Sequence, residues 1–327
     1  MRALILLLFF SGSTLAAQLV PPSGFSKPLP HTRKGLCVAL PDPYTGRLIF
    51  RSKYDGSDSA RATLNPAAEQ TYRAQTKAIT DFERGLSLMV WRYKQSGDPA
   101  TLNCILTGLN AWASAKALTS TQTNHTGRAM RKWALATLAT HWLELKFMPL
   151  ARVNTHPEIE GWIALLAERV VKDWDGLAIE KTNNHSYWAA WSVMAASVAV
   201  NRRDLFSWSL KEYRRAAGQI TPQGTLPNEM KRGPRALNYH HYALQPLVMI
   251  ASFAQANQVD VTQENDGGLR RLAGYVLQHD KANLEWLEPY CTLIKCDSVT
   301  IAGRDAGRPW VNRRMGGNLT LLYDQER

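Results

Sequence analysis

Two clusters of polar side chains combine the residue types needed to bind an anion and to move a proton. Asn184 and His185 lie at the predicted start of a helix, where backbone N–H groups and the helix dipole favour an anion. In the second cluster, Arg232 can pair with a carboxylate through two hydrogen bonds. Tyr239 is a phenol with an ordinary pKa of about 10, which nearby cations should lower. These types predict proton transfer beside a bound carboxylate.

Each of these residues has a competing interpretation. Tyr242 falls on roughly the same helical face as Tyr239 and is its main rival, and Arg235 likewise rivals Arg232. A lone histidine is more often structural than catalytic, which applies to His185 taken without its motif. The remaining aromatic candidates are predicted to pack rather than to react, and they are His240, His241, Trp188 and Trp191.

A third polar cluster spans residues 52–61 and contains Ser52, Lys53 and Arg61. Its glycine and flanking basic residues are typical of a surface loop. Lys53 and Arg61 could close over a bound polyanion as a lid. The alternative for Lys53 is a charge that is simply solvated on the loop.

The elements around these clusters are predicted to be helices. Apolar residues recur at steps of three and four through most of the chain, and alternating segments are almost absent. The segment from Tyr187 to Val200 is apolar nearly all round and should be a buried helix. Asp204 is predicted to cap a helix that ends at Gly218. We therefore expect an all-α fold of helical hairpins around a cleft, in one domain over residues 18–327, with a proline-rich extended arm at its start.

The N-terminal residues have the three-part layout of a secretory signal peptide. Arg2 supplies a positive charge, Leu4 to Phe10 is an unbroken apolar run, and Ala17 closes a small-residue cleavage site. An anchor helix is the alternative, but the apolar run is too short to span a bilayer. We expect residues 1–17 to be removed and the protein to be periplasmic, with no membrane span.

An even number of cysteines in an exported chain indicates disulfides. Cys291 and Cys296 are close enough for a local loop, which leaves Cys37 with Cys104. Four cysteines allow three pairings, so this pairing is a preference. A metal site is the alternative, but no ligand spacing supports it, and we expect neither metal nor cofactor.

The formal charge of +12 favours a polyanionic partner. Nucleic acid is the usual partner of a basic cytosolic chain, whereas an exported chain meets acidic polysaccharides and lipid headgroups instead. Improved solubility alone is the other explanation. Charge therefore narrows the partner class without identifying a function.

Together the motifs resemble the mannuronate-specific alginate lyases of polysaccharide lyase family 5. The resemblance covers nearly the whole mature chain, although the stretch between Gln278 and Trp286 is short beside the longest relatives. It is carried by residues 52–61 and by the runs Leu19 to Pro22, Asn124 to Gly127, Asn183 to Trp188, Asn228 to Tyr242 and Trp286 to Cys291.

The resemblance implies an incomplete (α/α) toroid with a deep cleft, and cleavage of alginate by β-elimination. It implies that Asn184, His185 and Arg232 hold the substrate carboxylate while Tyr239 lies over the reacting carbons as base, acid or both. It also implies that the sugar contacts Ser52, Lys53, His125 and Thr126. The partner would be the polymannuronate polyanion, and we expect the enzyme to be a monomer.

Two other functions compete with a lyase. A glycoside hydrolase on a similar toroid needs two placed carboxyl groups. Only Glu229 and Asp173 are available near these motifs, and nothing in the sequence pairs them. A periplasmic polysaccharide-binding protein would keep the basic cleft but would not need His185 or Tyr239.

Overall fold

The computed structural model describes residues 17–58, 60–149, 151, 153 and 156–324. Residues 1–16, and with them nearly all of the predicted signal peptide, lie outside the described residues. Within the described part no helix is both long and apolar enough to cross a bilayer.

Helices dominate the described part, which confirms the all-α prediction. Short 3₁₀ turns occur at Ser23–Ser26, Ile179–Lys181, Gly233–Arg235 and Arg313–Met315, and two short antiparallel strands, β1 (Val311–Asn312) and β2 (Gly317–Asn318), pair near the C-terminus. The α-helices are α1 (Pro66–Gln75), α2 (Lys77–Ser96), α3 (Pro99–Ser114), α4 (His125–Lys146), α5 (Pro157–Trp174), α6 (Asn184–Ala199), α7 (Arg203–Ala217), α8 (Pro227–Met230), α9 (Ala236–Ala256), α10 (Glu264–His279), α11 (Leu287–Leu293), α12 (Ser298–Ala306) and α13 (Leu319–Leu322).

Helix α6 lies at the centre of the fold and packs against α4, α5, α7 and α9. Nearly all its side chains are buried, as predicted for a helix that is apolar all round. Successive helices pack as hairpins, α2 with α3, α4 with α5, α6 with α7, and α9 with α10. These hairpins build the incomplete helical toroid, in agreement with prediction.

Helix α7 begins two residues earlier than predicted. Arg202, not Asp204, is its N-cap, and the Asp204 carboxylate bonds to the Arg202 guanidinium from the first turn. This ion pair takes the carboxylate away from the backbone N–H groups that a capping side chain would accept from. The helix does end at Gly218, as predicted.

The N-terminal arm lies against the helices and carries the 52–61 loop to them. Cys37 is bonded to Cys104 on α3, and Cys291 is bonded to Cys296, which confirms the preferred pairing. Further along the arm, Leu48 forms a parallel bridge with Thr123, just before α4 begins. The arm therefore brings the polar loop beside the N-terminus of α4.

Candidate active site

One cleft, with a cavity volume of about 370 Å³, gathers most of the predicted site residues. Ser52, Lys53 and Arg61 line it from the 52–61 loop, while His125 and Thr126 line it from α4. The other residues that line it are Tyr54, Tyr72, Ala129, Trp133, Asn184, His185, Arg235, Asn238, Tyr239, Tyr242 and Arg314. The cleft therefore joins segments that are far apart in the sequence.

Two helix N-termini meet at this cleft. Helix α4 begins at His125, capped by the side chain of Asn124, and α6 begins at Asn184, capped by the side chain of Asn183. The rings of His125 and His185 contact each other edge to face, with 4.7 Å between their centroids. Because the N-terminus of a helix carries unpaired N–H groups and a partial positive charge, this arrangement favours an anion.

His185 is enclosed by aromatic rings and cations. Its ring stacks on Trp174, with the two planes 8° apart, and its Nδ1 lies 2.7 Å from Nζ of Lys132. Burial, and then the charge of Lys132, lower the pKa of His185 well below its ordinary value. Burial and the charge of Arg61 lower the pKa of His125 to about 3. Both histidines are therefore uncharged at neutral pH.

Asn184 is fully buried and bonded to Glu229. The carboxylate accepts the backbone N–H of Asn184 at 2.6 Å, and its two oxygens lie 3.0 and 3.1 Å from Nδ2. Glu229 also lies 3.7 Å from Nε of Arg232. One buried carboxylate thus orients two of the predicted catalytic side chains.

Arg232 lines an adjoining cavity of about 430 Å³, whose walls include Arg61, His125 and His185 of the main cleft. Its guanidinium packs over the ring of Tyr239, 4.8 Å from the centroid, and donates to the backbone oxygen of Ala60. The structure therefore brings Arg232 to the same group of residues as predicted, at the junction of two cavities.

The hydroxyl of Tyr239 donates to the hydroxyl of Tyr54 at 3.1 Å and lies 3.3 Å from the backbone oxygen of Arg61. The prediction that nearby cations lower its pKa is wrong. Burial and the bond to Tyr54 raise the pKa of Tyr239, and they outweigh Arg232 and Arg235. Tyr239 is therefore a protonated phenol at rest.

Asp58 organises the 52–61 loop. Its carboxylate accepts the backbone N–H groups of Ala60, Ala62 and Thr63 at 2.7–2.9 Å. Tyr54 forms an antiparallel bridge with Leu64, so the segment folds back on itself. These hydrogen bonds to the backbone of the loop fix its conformation beside the cleft.

The rivals occupy different surroundings from the preferred residues. Tyr242 also lines the cleft, but its ring packs on the buried Trp188 and burial raises its pKa to about 12. Arg235 donates to the Tyr54 hydroxyl at 3.3 Å, and its guanidinium lies 5.7 Å from the centroid of the Tyr239 ring. Both remain near enough to contribute to the site.

The aromatic residues predicted to pack do so. Trp188 and Trp191 are buried in the core. His240 is buried, accepts the backbone N–H of Leu226 at Nε2, and thereby holds the segment that precedes Glu229. His241 pairs with Glu285.

Lys132, Tyr54 and Arg314 are among the residues of this region that were not predicted from the sequence. Lys132 lies on a buried face of α4, two turns after His125, and helical spacing from His125 could have indicated it. Tyr54 stands within the quoted loop, beside Lys53. Arg314 is bonded to Glu83 and reaches the cleft from the far end of the chain, which no local pattern indicates.

No acidic side chain is among the described residues that line the main cleft. Glu229 is buried against Asn184, and Asp173 is bonded to Arg131 at 2.9 Å. Within the described ranges, no group of three or more His, Cys, Asp or Glu side chains could hold a metal ion. The site is built from cations, imidazoles, amides and phenols.

Comparison with known proteins agrees with this chemistry. The "Alginate lyase" family profile matches residues 50–286. The chain belongs to the alginate lyase family. It is 49% identical to an alginate lyase of Pseudomonas entomophila over 98% of this chain and 95% of that one, and 48% identical to one of Pseudomonas syringae over 94% and 89%. Membership of this family makes the chain a polysaccharide lyase.

Solved alginate lyases share the fold. Alginate lyase A1-III from Sphingomonas species A1 superposes with a TM-score of 0.72 at 22% identity, covering 96% of this chain and 91% of that one. A variant of alginate lyase A1-III in complex with a tetrasaccharide superposes with a TM-score of 0.75 at 22% identity, covering 95% and 92%. At this identity the likeness concerns the helical toroid.

Proposed function

We propose that this protein depolymerises mannuronate-rich alginate by β-elimination. The observation that carries the proposal is the composition of the cleft, where a phenol, two uncharged histidines and several cations meet at two helix N-termini. Tyr239 and His185 line the same cavity, so a sugar bound there would contact both.

The chemistry of a uronic acid explains these residue types. Elimination removes the proton on C5, next to the carboxylate, and expels the oxygen on C4. The C5 proton is very weakly acidic while the carboxylate keeps its full charge. The enolate-like charge that develops must therefore be stabilised by fixed donors, as in an oxyanion hole.

In this proposal Asn184, His185 and Arg232 neutralise the substrate carboxylate. Glu229 holds the Asn184 amide and faces Arg232, so both donor groups are oriented before substrate arrives. His185 is uncharged and serves as a hydrogen-bond donor. Preoriented donors in a site of low water content stabilise developing charge without a cost of reorganisation.

Tyr239 would transfer the proton. Substrate that enters the cleft would replace Tyr54 and the Arg61 backbone as the partner of the Tyr239 hydroxyl. In mannuronate the C5 proton and the C4 oxygen lie on the same face of the ring. Once its own phenolic proton has passed to solvent, one tyrosine could therefore take the C5 proton as a phenolate and then give it to the departing C4 oxygen as an acid. Guluronate is the C5 epimer and presents them on opposite faces, which is why we propose a preference for mannuronate.

The remaining residues would bind the polymer. Ser52, Lys53 and Arg61 on the loop and His125 and Thr126 on α4 line the cleft around the catalytic group. Lys53 and Arg61 supply positive charge to a polyanion whose sugars each carry a carboxylate. The loop is held by Asp58, so it could move over bound polymer as one unit.

A hydrolase is the competing function. Its two carboxyl groups would stand on either side of the glycosidic bond, roughly 5–9.5 Å apart. The cleft offers no such pair among the described residues that line it. A binding protein would not need a histidine and a tyrosine that line the same cavity.

Product analysis on polymannuronate, polyguluronate and acetylated alginate separates these functions. A lyase leaves an unsaturated uronate that absorbs ultraviolet light, whereas a hydrolase leaves only new reducing ends and a binder leaves the polymer intact. We expect absorbing products, formed faster from polymannuronate. Equal rates on polyguluronate would contradict the specificity but not the elimination.

We also propose that the mature protein is a periplasmic monomer. The N-terminal charge, apolar run and small-residue site support export, and the two disulfides suit an oxidising compartment. Cell fractionation and light scattering test the two parts separately. A cytoplasmic protein that keeps its N-terminal residues would contradict the periplasmic location. A stable dimer would contradict the monomeric state.

A further inference from the structure

Lys132 is a buried lysine that contacts His185 within the candidate active site. It lies on α4, its side chain has no solvent exposure, and no carboxylate among the described residues forms an ion pair with it. Burial of an ammonium group without a partner is costly. The cost of burying Lys132 indicates that its side-chain nitrogen has a specific role in the site.

Three groups contact the Lys132 ammonium. Nδ1 of His185 lies 2.7 Å from Nζ, while the rings of Trp174 and Trp133 lie 4.1 and 5.0 Å from it. The two indoles attract a cation through their faces and favour the charged form. Among the described residues no hydrogen bond involves Nε2 of His185, although the residue lines the cleft.

Burial lowers the pKa of Lys132 well below its ordinary value, while Asp173 and the faces of the two indoles favour its charged form. An ammonium group has three donors and no acceptor, so a charged Lys132 donates to Nδ1 of His185 and the single proton of the neutral imidazole resides on Nε2. We propose that Lys132 is a positioning residue that holds His185 in the Nε2–H tautomer, so that His185 presents a donor, and not a base, to the substrate carboxylate. The inference deepens the proposed function and rests on it for the identity of the anion.

The charges around the pair support this arrangement. Imidazolium formation at His185 is opposed by burial and by every positive group that faces it. These groups are Lys132 on α4, Arg61 on the loop and Arg232 before α9, and His125 joins them only where it is protonated. Arg314 and Asp173 act on Lys132 with opposite sign. A neutral ring with a fixed tautomer then supplies one directed N–H, and proton abstraction is left to Tyr239.

Nitrogen-15 NMR of histidine-labelled protein tests the tautomer without substrate. The His185 signals are assigned by comparison with His185→Ala. We expect wild-type His185 to carry its proton on Nε2 and to stay neutral at pH values at which a free imidazole is protonated. A proton on Nδ1, or an imidazolium at pH 7, would overturn the proposal even if the enzyme proved to be a lyase.

Lys132→Met retains the apolar stem and removes the donor and charge. We expect His185 of this variant to titrate at higher pH than in the wild type, and kcat to fall about tenfold at pH 8 with little change in KM. The ratio of variant to wild-type kcat should rise as the pH is lowered towards 5. At low pH His185 of the variant becomes doubly protonated, and its Nε2 then carries a proton without help from Lys132.

A ratio that stays constant with pH would show a purely structural role for Lys132 and overturn the proposal. Lys172→Met, at an exposed position on α5, is the matched control and should match the wild type at every pH. If Lys132→Met fails to fold, the wild-type NMR result still decides the tautomer. If the wild type forms no unsaturated uronate, the proposed function fails while the tautomer result stands.

Discussion

The hydroxyl of Tyr239 donates a hydrogen bond to the hydroxyl of Tyr54, with 3.1 Å between the two oxygens. This bond joins α9 to the 52–61 loop across the cleft. It also helps to raise the pKa of Tyr239, so the resting enzyme holds a phenol and not a phenolate. In the proposed mechanism, substrate takes over this bond before the hydroxyl transfers a proton.

Tyr239→Phe should remove nearly all turnover and leave polymannuronate binding largely intact, because it deletes one hydroxyl and keeps the ring. General acid–base catalysis is typically worth about 10²–10⁴-fold in rate. His185→Ala should cost roughly 10²–10³-fold by removing a donor to the carboxylate. The measurement is the rate of ultraviolet absorbance increase, with binding followed by calorimetry.

Tyr242→Phe is the control for Tyr239→Phe, since Tyr242 lines the same cleft but packs on Trp188. We expect a mild effect. An inactive Tyr242→Phe beside an active Tyr239→Phe would reverse the assignment of the tyrosine. Full activity in both variants and in His185→Ala would mean that the site lies elsewhere.

Glu229→Gln should lower both stability and turnover. The substitution keeps the size but replaces one acceptor oxygen by an NH₂ group, and it removes the charge that faces Arg232. A buried donor left without a partner costs roughly 1–3 kcal/mol of unfolding free energy. Denaturant unfolding and kcat measure the two effects. Glu158→Gln, exposed on α5, is the matched control, and equal behaviour of the two variants would contradict the orienting role.

Binding of polymannuronate should weaken as salt increases, because Lys53 and Arg61 line the cleft in which we propose that the polyanion binds. Exposed charges are screened over about 8 Å at physiological ionic strength. KM measured from low to high salt should rise, and Lys53→Met should show a shallower rise. A KM independent of salt would argue against an electrostatic cleft.

The two disulfides should contribute unequally to stability. Cys37 and Cys104 are 67 residues apart and Cys291 and Cys296 are 5 apart, so loop-closure entropy predicts stabilisation of about 4 and about 2 kcal/mol respectively. Unfolding of the two double-alanine variants measures this. The reverse order would show that local packing, and not chain entropy, governs the difference.

Stability should fall in acid partly through His125. The folded state lowers the pKa of His125 to about 3 by burial and by the charge of Arg61, while the unfolded chain keeps about 6.5. Between these values the unfolded chain binds the extra proton, so unfolding is favoured as pH falls from about 6.5 towards 3. His185 acts in the same direction.

His125→Gln should therefore reduce the drop in melting temperature between pH 7 and pH 4.5. His279→Gln, at an exposed position at the end of α10, is the control and should keep the wild-type drop. An unchanged drop in His125→Gln would show that His125 titrates normally in the folded protein.

Local patterns in the sequence were sufficient to predict the helices and several residues of the site. The buried character of α6 followed from its apolar composition, and its start followed from its motif, because capping and periodicity act within a few residues. An even count and one short spacing favoured the disulfide pairing that the structure shows, although three pairings were possible. The family motifs placed His185 and Tyr239 in one cleft before any contact was known.

Only the tertiary structure determined which groups orient the site residues and shift their pKa values. Glu229 holds Asn184 across 45 residues, and Tyr54 holds Tyr239 across 185. Lys132 meets His185 only because α4 packs on α6. The predicted pKa of Tyr239 was wrong for the same reason. Charges near a residue can be read from its neighbours in the chain, whereas burial and hydrogen bonding depend on segments brought together by folding.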